Sequence, residues 1–478
     1  MINNMQRNIG LWVMVAVLMV AAIIQANMIL TSTYLAIAMS SAFFFLMLFF
    51  NAPLGLLMIM LFIFPFSGTE AFRAALADIP GFKPLQLLSL ALMVVALMNL
   101  RNAVRPPAAA VFFFLVIIVV FSVTFLRSLP NLDDINQVQT ERLSVPRYFL
   151  SEYFKHLIYF IPAIIIAHYV YTTRDLDRVA RTINWSITLL SVVIIGFYFI
   201  NADLVMDSRS TRRLYATSFG LHTNSIVNYY ILGFPFILAE LFKKRSVLVL
   251  AKIVLCTIAI ALLFSRSAYF LLIASFFIYL YVSKRARWLP ILAMIMMASY
   301  FIIPDAVIER ATKGFQSGDR NEFTAGRVDH IWMPLLKEST SDIKTILFGN
   351  GRYAMVSTDA HKRRAIIQAM HPHNMYLEVF LDAGLIGLLI ILSLFGYLLL
   401  KAYAHLKPAE NTPYKEYLTA AITAVVCFLI SGLTDRTFFP DEINGYLWVI
   451  VGLTLVLCRQ IRIANSTAPV MTEVNEGK

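Results

Sequence analysis

Residues 371–400 read HPHNMYLEVFLDAGLIGLLIILSLFGYLLL, a polar and histidine-bearing start that becomes a strongly apolar run over residues 388–400. An apolar helix of roughly 20 residues is long enough to cross a bilayer. The stretch is therefore expected where a water-exposed loop enters a membrane. The loop that precedes it, residues 304–382, is the longest between apolar segments. We expect the rest of the chain to hold this junction against a substrate that is carried by a lipid.

The composition is typical of a polytopic membrane protein. Of 478 residues, 59% are hydrophobic and 14% are charged, whereas a soluble domain carries roughly 25% charged residues. The net charge of +12 is explained by Lys and Arg in cytoplasmic loops, which set the orientation of membrane proteins, so nucleic acid is not a predicted partner. Cys256, Cys427 and Cys458 all lie in apolar runs and are interpreted as small apolar side chains.

Apolar segments long enough to span a bilayer recur along the chain and predict an all-α helical bundle surrounded by membrane lipids. We count about fourteen, at residues 9–25, 29–50, 52–66, 85–100, 108–126, 157–173, 184–201, 224–242, 247–264, 267–283, 288–303, 383–402, 417–433 and 444–461. The first is interpreted as an uncleaved transmembrane helix and not as a signal peptide, because it is long for a signal sequence and a second apolar segment follows at once.

Basic residues are distributed unevenly among the connections between these segments. With a cytoplasmic N-terminus, every even-numbered connection except the first is rich in Lys or Arg, and so are residues 459–462 near the end of the last segment. Lys and Arg accumulate in cytoplasmic loops. An even number of spans with both termini in the cytoplasm is therefore predicted. The odd-numbered connections, among them the long loop, would then face outward.

These predictions divide the chain into four parts. Residues 1–303 would hold transmembrane helices 1–11, residues 304–382 the long outer loop, residues 383–463 helices 12–14, and residues 464–478 a disordered cytoplasmic tail. A loop of this length in a compact protein is expected to carry structure of its own.

Two segments of the long loop are predicted to be amphipathic helices on the outer surface, where they would form a lid. In residues 327–337 apolar side chains recur at helical spacing, and in residues 360–370 Arg363 and Arg364 lie close to two isoleucines. Between these segments, Gly349-Asn350-Gly351 is predicted to be a turn.

Arginines on the outward side are not explained by membrane orientation. They occur in Arg209-Ser210-Thr211-Arg212-Arg213, at Arg266 in a connection of about three residues, and at Arg327 in the long loop. A guanidinium binds phosphate oxygens through paired hydrogen bonds, so this set suits a phosphate or a diphosphate. The alternative is that these side chains reach lipid headgroups or pair with acidic residues of the same loops.

His371 and His373 are the candidates for acid–base chemistry. A neutral imidazole at His373 can accept a proton from a sugar hydroxyl near pH 7. A metal pair is the alternative, since His-x-His spacing occurs in metal sites. However, residues two apart on a helix face different ways, and no cysteine or clear carboxylate triad accompanies them. No metal is predicted, and a plain surface histidine remains the other interpretation.

Four further residues are predicted to support the histidine. Asn374 and Glu378 are four positions apart and would share a helix face, where either could orient the ring or bind an acceptor sugar; ordinary surface polarity is the alternative. Gly384 and Gly387 lie about one turn apart at the start of the apolar run. Small residues allow close helix packing, which would fix the position of the histidine.

The pattern His373-Asn374, nine residues, Gly384, two residues, Gly387, at the entry to a late span after a long outer loop, resembles the signature of the bacterial O-antigen ligase and O-antigen polymerase superfamily. Gly326-Arg327 followed by Trp332 and later by Gly349-Asn350-Gly351 is similar to the loop of that family. The segment from Arg209 to Gly220 is similar to the arginine element of the polymerases, with Arg213 as the alternative family arginine. The resemblance covers roughly residues 205–400.

The resemblance implies a metal-independent glycosyltransferase, without a cofactor, whose active site faces the periplasm from the bacterial inner membrane. The donor would be a glycan on undecaprenyl diphosphate, held by Arg266, Arg327 and Arg209 or Arg213, and His373 would take the proton of the acceptor hydroxyl. Polymerisation of O-antigen or exopolysaccharide repeat units onto the next lipid-linked unit is the expected function, with a chain-length regulator as a further partner. The alternative is a ligase that uses lipid A-core as the acceptor.

A transporter or flippase for lipid-linked sugars is the rival from another class. Such a protein should carry ionisable residues near the midplane of its spans. Here the predicted spans are nearly free of charge, and Glu240 and Lys252 lie near their cytoplasmic ends. The polar residues instead gather at the outward ends, which favours chemistry at the membrane surface. A non-catalytic partner of a glycan synthase is a third alternative.

Overall fold

The computed structural model describes residues 52–69, 84–139, 142–201, 208–290, 308, 312, 324, 326–367, 369–435 and 437–467. Helices and turns account for the regular structure of these residues, and no strand occurs among them. The predicted all-α class is therefore confirmed.

The helices that precede the long loop are α1 (Pro53–Ile63), α2 (Pro84–Met98), α3 (Ala108–Ser128), α4 (Leu132–Val138), α5 (Val145–Tyr169), α6 (Thr173–Ile200), α7 (Ser208–Phe219), α8 (Thr223–Lys244), α9 (Val247–Leu262) and α10 (Arg266–Val282). Those within and after the loop are α11 (Met333–Ser339), α12 (Ile343–Phe348), α13 (Asp359–Lys362), α14 (Met375–Ala404), α15 (Lys415–Ser431) and α16 (Gly445–Thr467). A π-helical turn interrupts α5 at Phe149–Phe154.

Several described helices have the length and composition to cross a membrane, namely α3, α5, α6, α8, α14 and α16, while α1, α2, α9 and α10 are apolar but shorter. The chain is therefore a polytopic membrane protein. Each predicted span between residues 52 and 283, and each from residue 383 onward, coincides with a described helix. The spans 9–25 and 29–50 lie outside the described residues, as does most of 288–303, so the count of fourteen stays a prediction.

Some predicted helix boundaries are wrong because polar turns belong to the helices. Helix α5 begins at Val145 and α6 at Thr173, each about a dozen residues before the predicted start. The side-chain oxygen of Thr172 accepts a hydrogen bond from the backbone N–H of Asp175 at 3.1 Å, a capping box that begins the helix within its charged segment. At the other end of the chain, α16 extends to Thr467, into the predicted tail; residues 468–478 lie outside the described residues.

Helices α8 and α16 form the centre of the bundle. In the most apolar 18-residue stretch of each helix, 83% of α8 and 72% of α16 is buried inside the protein. Helix α8 packs against α6, α9, α10, α15 and α16, and α16 also packs against α5, α14 and α15. A helix that is apolar on all faces is expected at such a position. Helix α8 is consequently held between several neighbouring helices.

Of the two helices predicted in the long loop, the structure contains the first but not the second. Residues 327–337 are helical, because Val328–Trp332 forms a π-helical turn that leads into α11. The prediction for residues 360–370 is wrong: α13 ends at Lys362, and Arg364 has a left-handed backbone with φ of +55°. The carboxylate of Glu338 accepts hydrogen bonds from the N–H groups of the first two residues of α13, which ties this short helix to α11.

The loop is joined to α14 at a break in that helix. Gly384 has φ of +70° and ψ of −173°, a conformation open to glycine alone. A Cβ atom there would lie 2.3 Å from the carbonyl carbon of Leu347, and one at Gly349 would lie 2.5 Å from the carbonyl carbon of Asp382. Gly384 thus makes room for the backbone of α12. A Cβ at Gly387 would meet the Cβ of Ala383 at 2.3 Å, across the break.

Candidate active site

His373 is placed by the start of α14. The side-chain oxygen of Asn374 accepts hydrogen bonds from the N–H groups of Tyr376 at 3.0 Å and Leu377 at 3.1 Å, which caps the helix. His373 itself adopts φ of +56°. Residues other than glycine rarely take this left-handed conformation, and they do so most often at functional sites. The cap and this backbone conformation together place His373 directly before the first turn of α14.

Asp435 orients the imidazole of His373. Its Oδ1 lies 2.8 Å from Nδ1 of His373, and the two side chains are 18% and 24% exposed. An ionised carboxylate only accepts hydrogen bonds, so Nδ1 carries a proton, and in the neutral ring Nε2 carries the lone pair. The pair therefore has the arrangement of a general base whose tautomer is fixed by a carboxylate.

Two other segments hold Asp435. The side-chain amide of Asn224, at the start of α8, donates to Oδ2 of Asp435 at 2.9 Å. The hydroxyl of Ser265 donates to the side-chain oxygen of Asn224, also at 2.9 Å. Arg266 follows Ser265 as the first residue of α10 and is half-buried. This chain of hydrogen bonds brings the predicted Arg266 next to the segment that supports the histidine.

The predicted arginines differ in their positions. Arg327 is half-buried and donates from Nη1 to the carbonyl of Thr434, next to Asp435. Arg213 on α7 is exposed, whereas Arg212 is half-buried. The side chain of Arg209 lies outside the described residues. Of the predicted set, the structure therefore brings Arg266 and Arg327 to the segments that carry the histidine pair.

His222 shows that Arg212 belongs to the same region. The charges of Arg212, Arg327, His373 and Asp435 all act on its imidazole. His222 also accepts a hydrogen bond at Nδ1 from the N–H of Asn224, at 3.3 Å. Arg212 and Arg327 thus lie in the same region as the carboxylate of Asp435, and their positive charge favours an anion at this end of the bundle.

His371 contacts the same pair of residues. Its Nε2 lies 3.8 Å from Oδ1 of Asp435, and its ring packs edge-on to that of His373 with 4.6 Å between centroids. Desolvation opposes a charge on His371, but the carboxylates of Asp435 and Glu378 outweigh it and raise the pKa of His371 above its ordinary value. The pKa of His371 is thus raised directly beside the ring of His373.

His371, His373 and Asp435 also meet the spacing of a metal site, since their ligand atoms lie within 4.8 Å of one another. Two imidazoles and a carboxylate are a donor set that suits zinc. The nearby charges of Arg212 and Arg327 disfavour a divalent cation at this position. The geometry fits the predicted base and the metal alternative, and the surrounding charges favour the base.

Glu378 has a different environment from the one predicted. It is buried, and its Oε1 lies 2.5 Å from Nη1 of Arg352. The same Nη1 lies 3.2 Å from Oδ2 of Asp382. Glu378 therefore neutralises an arginine inside the protein, and the carboxylate that orients His373 is Asp435. Asn374 caps α14 and likewise leaves the orientation of the ring to Asp435.

Sequence reasoning missed Asp435, Asn224 and Arg352. Asp435 lies in a connection that was predicted to face outward. A carboxylate on the side of the membrane where the arginines gather is the feature of the sequence that could have indicated its role. No spacing rule joins it to His373, because the two residues are 62 positions apart. Arg352 directly follows the predicted turn at residues 349–351, but its partners are determined by how the loop docks on α14.

Comparison with known sequences adds to this geometry. Residues 251–392 match the model of a family described as "O-Antigen ligase". A protein of Rickettsia conorii that carries the provisional name polysaccharide ligase is 26% identical over 144 residues, which are 30% of this chain and 32% of the relative. The match therefore spans about a third of the length of that relative.

The matched part of the chain runs from α9 to the middle of α14 and contains Arg266, Arg327 and His373. The resemblance of the sequence rested in part on His373 and Arg327, and the fold brings the segments of all three residues together around Asp435. Over residues 251–392 the chain is thus similar to the family described as O-antigen ligases.

Proposed function

We propose that this protein is a membrane-embedded glycosyltransferase that moves a glycan from an undecaprenyl-diphosphate donor to a hydroxyl group of a sugar acceptor. The observation that carries the proposal is the hydrogen bond of 2.8 Å between Nδ1 of His373 and Asp435. It leaves Nε2 able to accept a proton, beside arginines suited to a diphosphate. The family match supports ligase-type glycan transfer.

The proposed transfer needs no redox partner. The acceptor hydroxyl gives its proton to Nε2 of His373 while its oxygen forms a bond to the anomeric carbon of the donor glycan. The bond between that carbon and the phosphate oxygen breaks, and its electron pair stays on the diphosphate. Arg266 and Arg327, together with Arg212, Arg213 or Arg209, would stabilise the charge that develops on this leaving group.

A ligase is favoured over the polymerase that the sequence alone suggested, because the matched family and the similar protein are both described as ligases. Deletion of the gene distinguishes the two by the surface glycans seen on a gel. Loss of glycan from lipid A-core, with long polymer retained on the lipid carrier, is the result expected of a ligase. A single repeat on lipid A-core would show a polymerase, and unchanged glycan would refute both.

The base is tested by His373→Ala and Asp435→Asn in the purified protein. We expect His373→Ala to abolish transfer and Asp435→Asn to slow it by at least about 10²-fold, since the amide no longer holds the reactive tautomer. His405→Ala, at the opposite end of α14, is the control and should keep the wild-type rate. Transfer should also survive EDTA; loss with EDTA and recovery with zinc would establish the metal alternative.

We infer that this site faces the periplasm of the bacterial inner membrane, with both termini in the cytoplasm. The support is the distribution of basic residues: Lys243, Lys244, Arg285 and Lys415 lie at the helix ends opposite the histidine pair. Fusion of alkaline phosphatase to the C-terminus should give an inactive reporter. An active reporter would place that terminus outside and reverse the orientation.

A further inference from the structure

Helix α12 of the long loop has apolar side chains that the protein does not cover. Ile343 is 67% exposed and Phe348 is 46% exposed. The sequence did not predict this helix. It begins with a cap in which Oδ2 of Asp342 accepts from the N–H of Thr345 at 3.0 Å. A loop surface in water gains nothing from exposing two such side chains, so their partner is expected to be apolar.

The attachment of α12 to α14 fixes its level relative to the membrane. Its backbone lies against Gly384, where a Cβ would approach Leu347 to 2.3 Å. From that break to its end at Ala404, α14 keeps about the 20 residues that cross a bilayer. The break therefore lies near the surface of the membrane, and α12 lies there with it.

Exposed apolar side chains also occur on α14 beside its contact with α12. Just after the break, Leu385 is 39% exposed, Ile386 is 41% exposed and Leu389 is 53% exposed. Lys344, on α12 itself, is also exposed. A lysine next to apolar side chains is typical of helices that lie in the headgroup region, because its ammonium group reaches the phosphates while its stem stays in apolar surroundings.

We propose that α12 is a membrane-docking helix, with Ile343 and Phe348 inserted among the lipid acyl chains of the adjacent leaflet and Lys344 at the headgroup phosphates. The docking would hold the loop beside the histidine site. Directly after α12, Asn350 donates its N–H to the carbonyl of Leu381 at 2.8 Å, and Gly351 donates to that of Asp382 at 2.9 Å. The membrane and α14 thus hold the same segment of the loop from two sides.

The docking is measured without any substrate, so its result does not depend on glycan transfer. Ile343→Cys and Phe348→Cys are labelled with a nitroxide in the full-length protein, in nanodiscs of phosphatidylethanolamine and phosphatidylglycerol. The three native cysteines are buried, and the unsubstituted protein controls for their labelling. Arg363→Cys is the matched control, because it replaces a loop side chain that is 78% exposed beside Asp359.

Collision of the nitroxide with oxygen, which concentrates in lipid, is compared with collision with a water-soluble nickel chelate. At positions 343 and 348 we expect oxygen to exceed the chelate several-fold, and at position 363 the reverse. Equal access of the chelate to all three positions would place α12 in water and overturn the proposal. Low access of both reagents at 343 and 348 would show that another part of the chain covers α12, which overturns it equally. If Phe348→Cys disturbs the fold, the more exposed position 343 decides the test alone.

Discussion

Asp435 serves two imidazoles, and they use it differently. With His373 it makes a direct hydrogen bond of 2.8 Å, and with His371 a looser contact of 3.8 Å. The direct bond fixes the position and the tautomer of the His373 ring, whereas the looser contact helps to raise the pKa of His371. A charge on His371 would lie close to the ring that accepts a proton in the proposed transfer. The two histidines therefore share one carboxylate and have opposed requirements.

The raised pKa of His371 predicts a stability that depends on pH. A folded-state pKa above the ordinary value of 6.5 means that the folded protein holds the proton more tightly than the unfolded chain does. The contribution is complete below 6.5 and is lost as the pH rises through the folded value. We therefore expect His371→Asn to lower the melting temperature at about pH 5.5 and to have little effect at about pH 8.5.

His361 provides a contrast with the opposite sign. It is buried, and burial lowers its pKa below 6.5. Its neutral form is the stable one, so the wild-type protein should lose stability relative to His361→Asn as the pH falls below 6.5. Melting curves of both variants from pH 5 to pH 9 measure this. A difference for His371→Asn that does not change with pH would refute its proposed charge.

At the level of elements, the sequence predicted that α14 is a membrane helix but did not predict the break in it. The apolar run after residue 383 predicted a membrane helix correctly, because burial in lipid demands a long apolar stretch whatever its neighbours are. The break at Gly384 was not predictable. It exists because the backbone of α12, more than thirty positions earlier, needs the space that a side chain would fill. Contacts between distant segments leave no periodic pattern in the sequence.

Replacement of Gly384 tests the junction between the loop and α14. Alanine cannot adopt φ of +70° with ψ of −173° without strain, which costs about 1–3 kcal/mol, and its Cβ would also strike the backbone of Leu347. Gly396→Ala in the same helix is the control, since a Cβ there meets nothing within 4 Å. We expect Gly384→Ala to lower the melting temperature clearly and Gly396→Ala to leave it unchanged or raise it. Equal melting temperatures would contradict the observed break.

For the whole molecule, composition and charge distribution predicted the class of protein, and the arginines and His373 indicated where its chemistry should lie. They could not predict which polar residues are paired. Asp435 meets His373, and Arg352 meets Glu378 and Asp382, only after several separate segments have packed. Such pairs depend on tertiary geometry, and a single sequence contains no direct signal of it.

Arg352 joins the parts of the molecule that carry the site. Its backbone N–H donates to the carbonyl of Thr124 on α3 at 2.8 Å, and its guanidinium binds Glu378 and Asp382 on α14. The same guanidinium lies 4.0 Å from the ring centroid of Phe439, in the connection that also contains Asp435. One buried cation thus ties the loop, α14 and this connection together.

Removal of this cation should therefore destabilise the protein as a whole. Arg352→Met leaves the buried carboxylates of Glu378 and Asp382 without their cation, and an uncompensated buried charge costs about 3–5 kcal/mol. The triple variant R352M/E378Q/D382N removes the charges together and should recover much of the loss in melting temperature. The control is Arg363→Met, whose exposed pair with Asp359 is worth at most about 1 kcal/mol. If Arg352→Met melted like the control, or the triple variant melted no higher than Arg352→Met, the buried ion pairs would not be what holds these segments together.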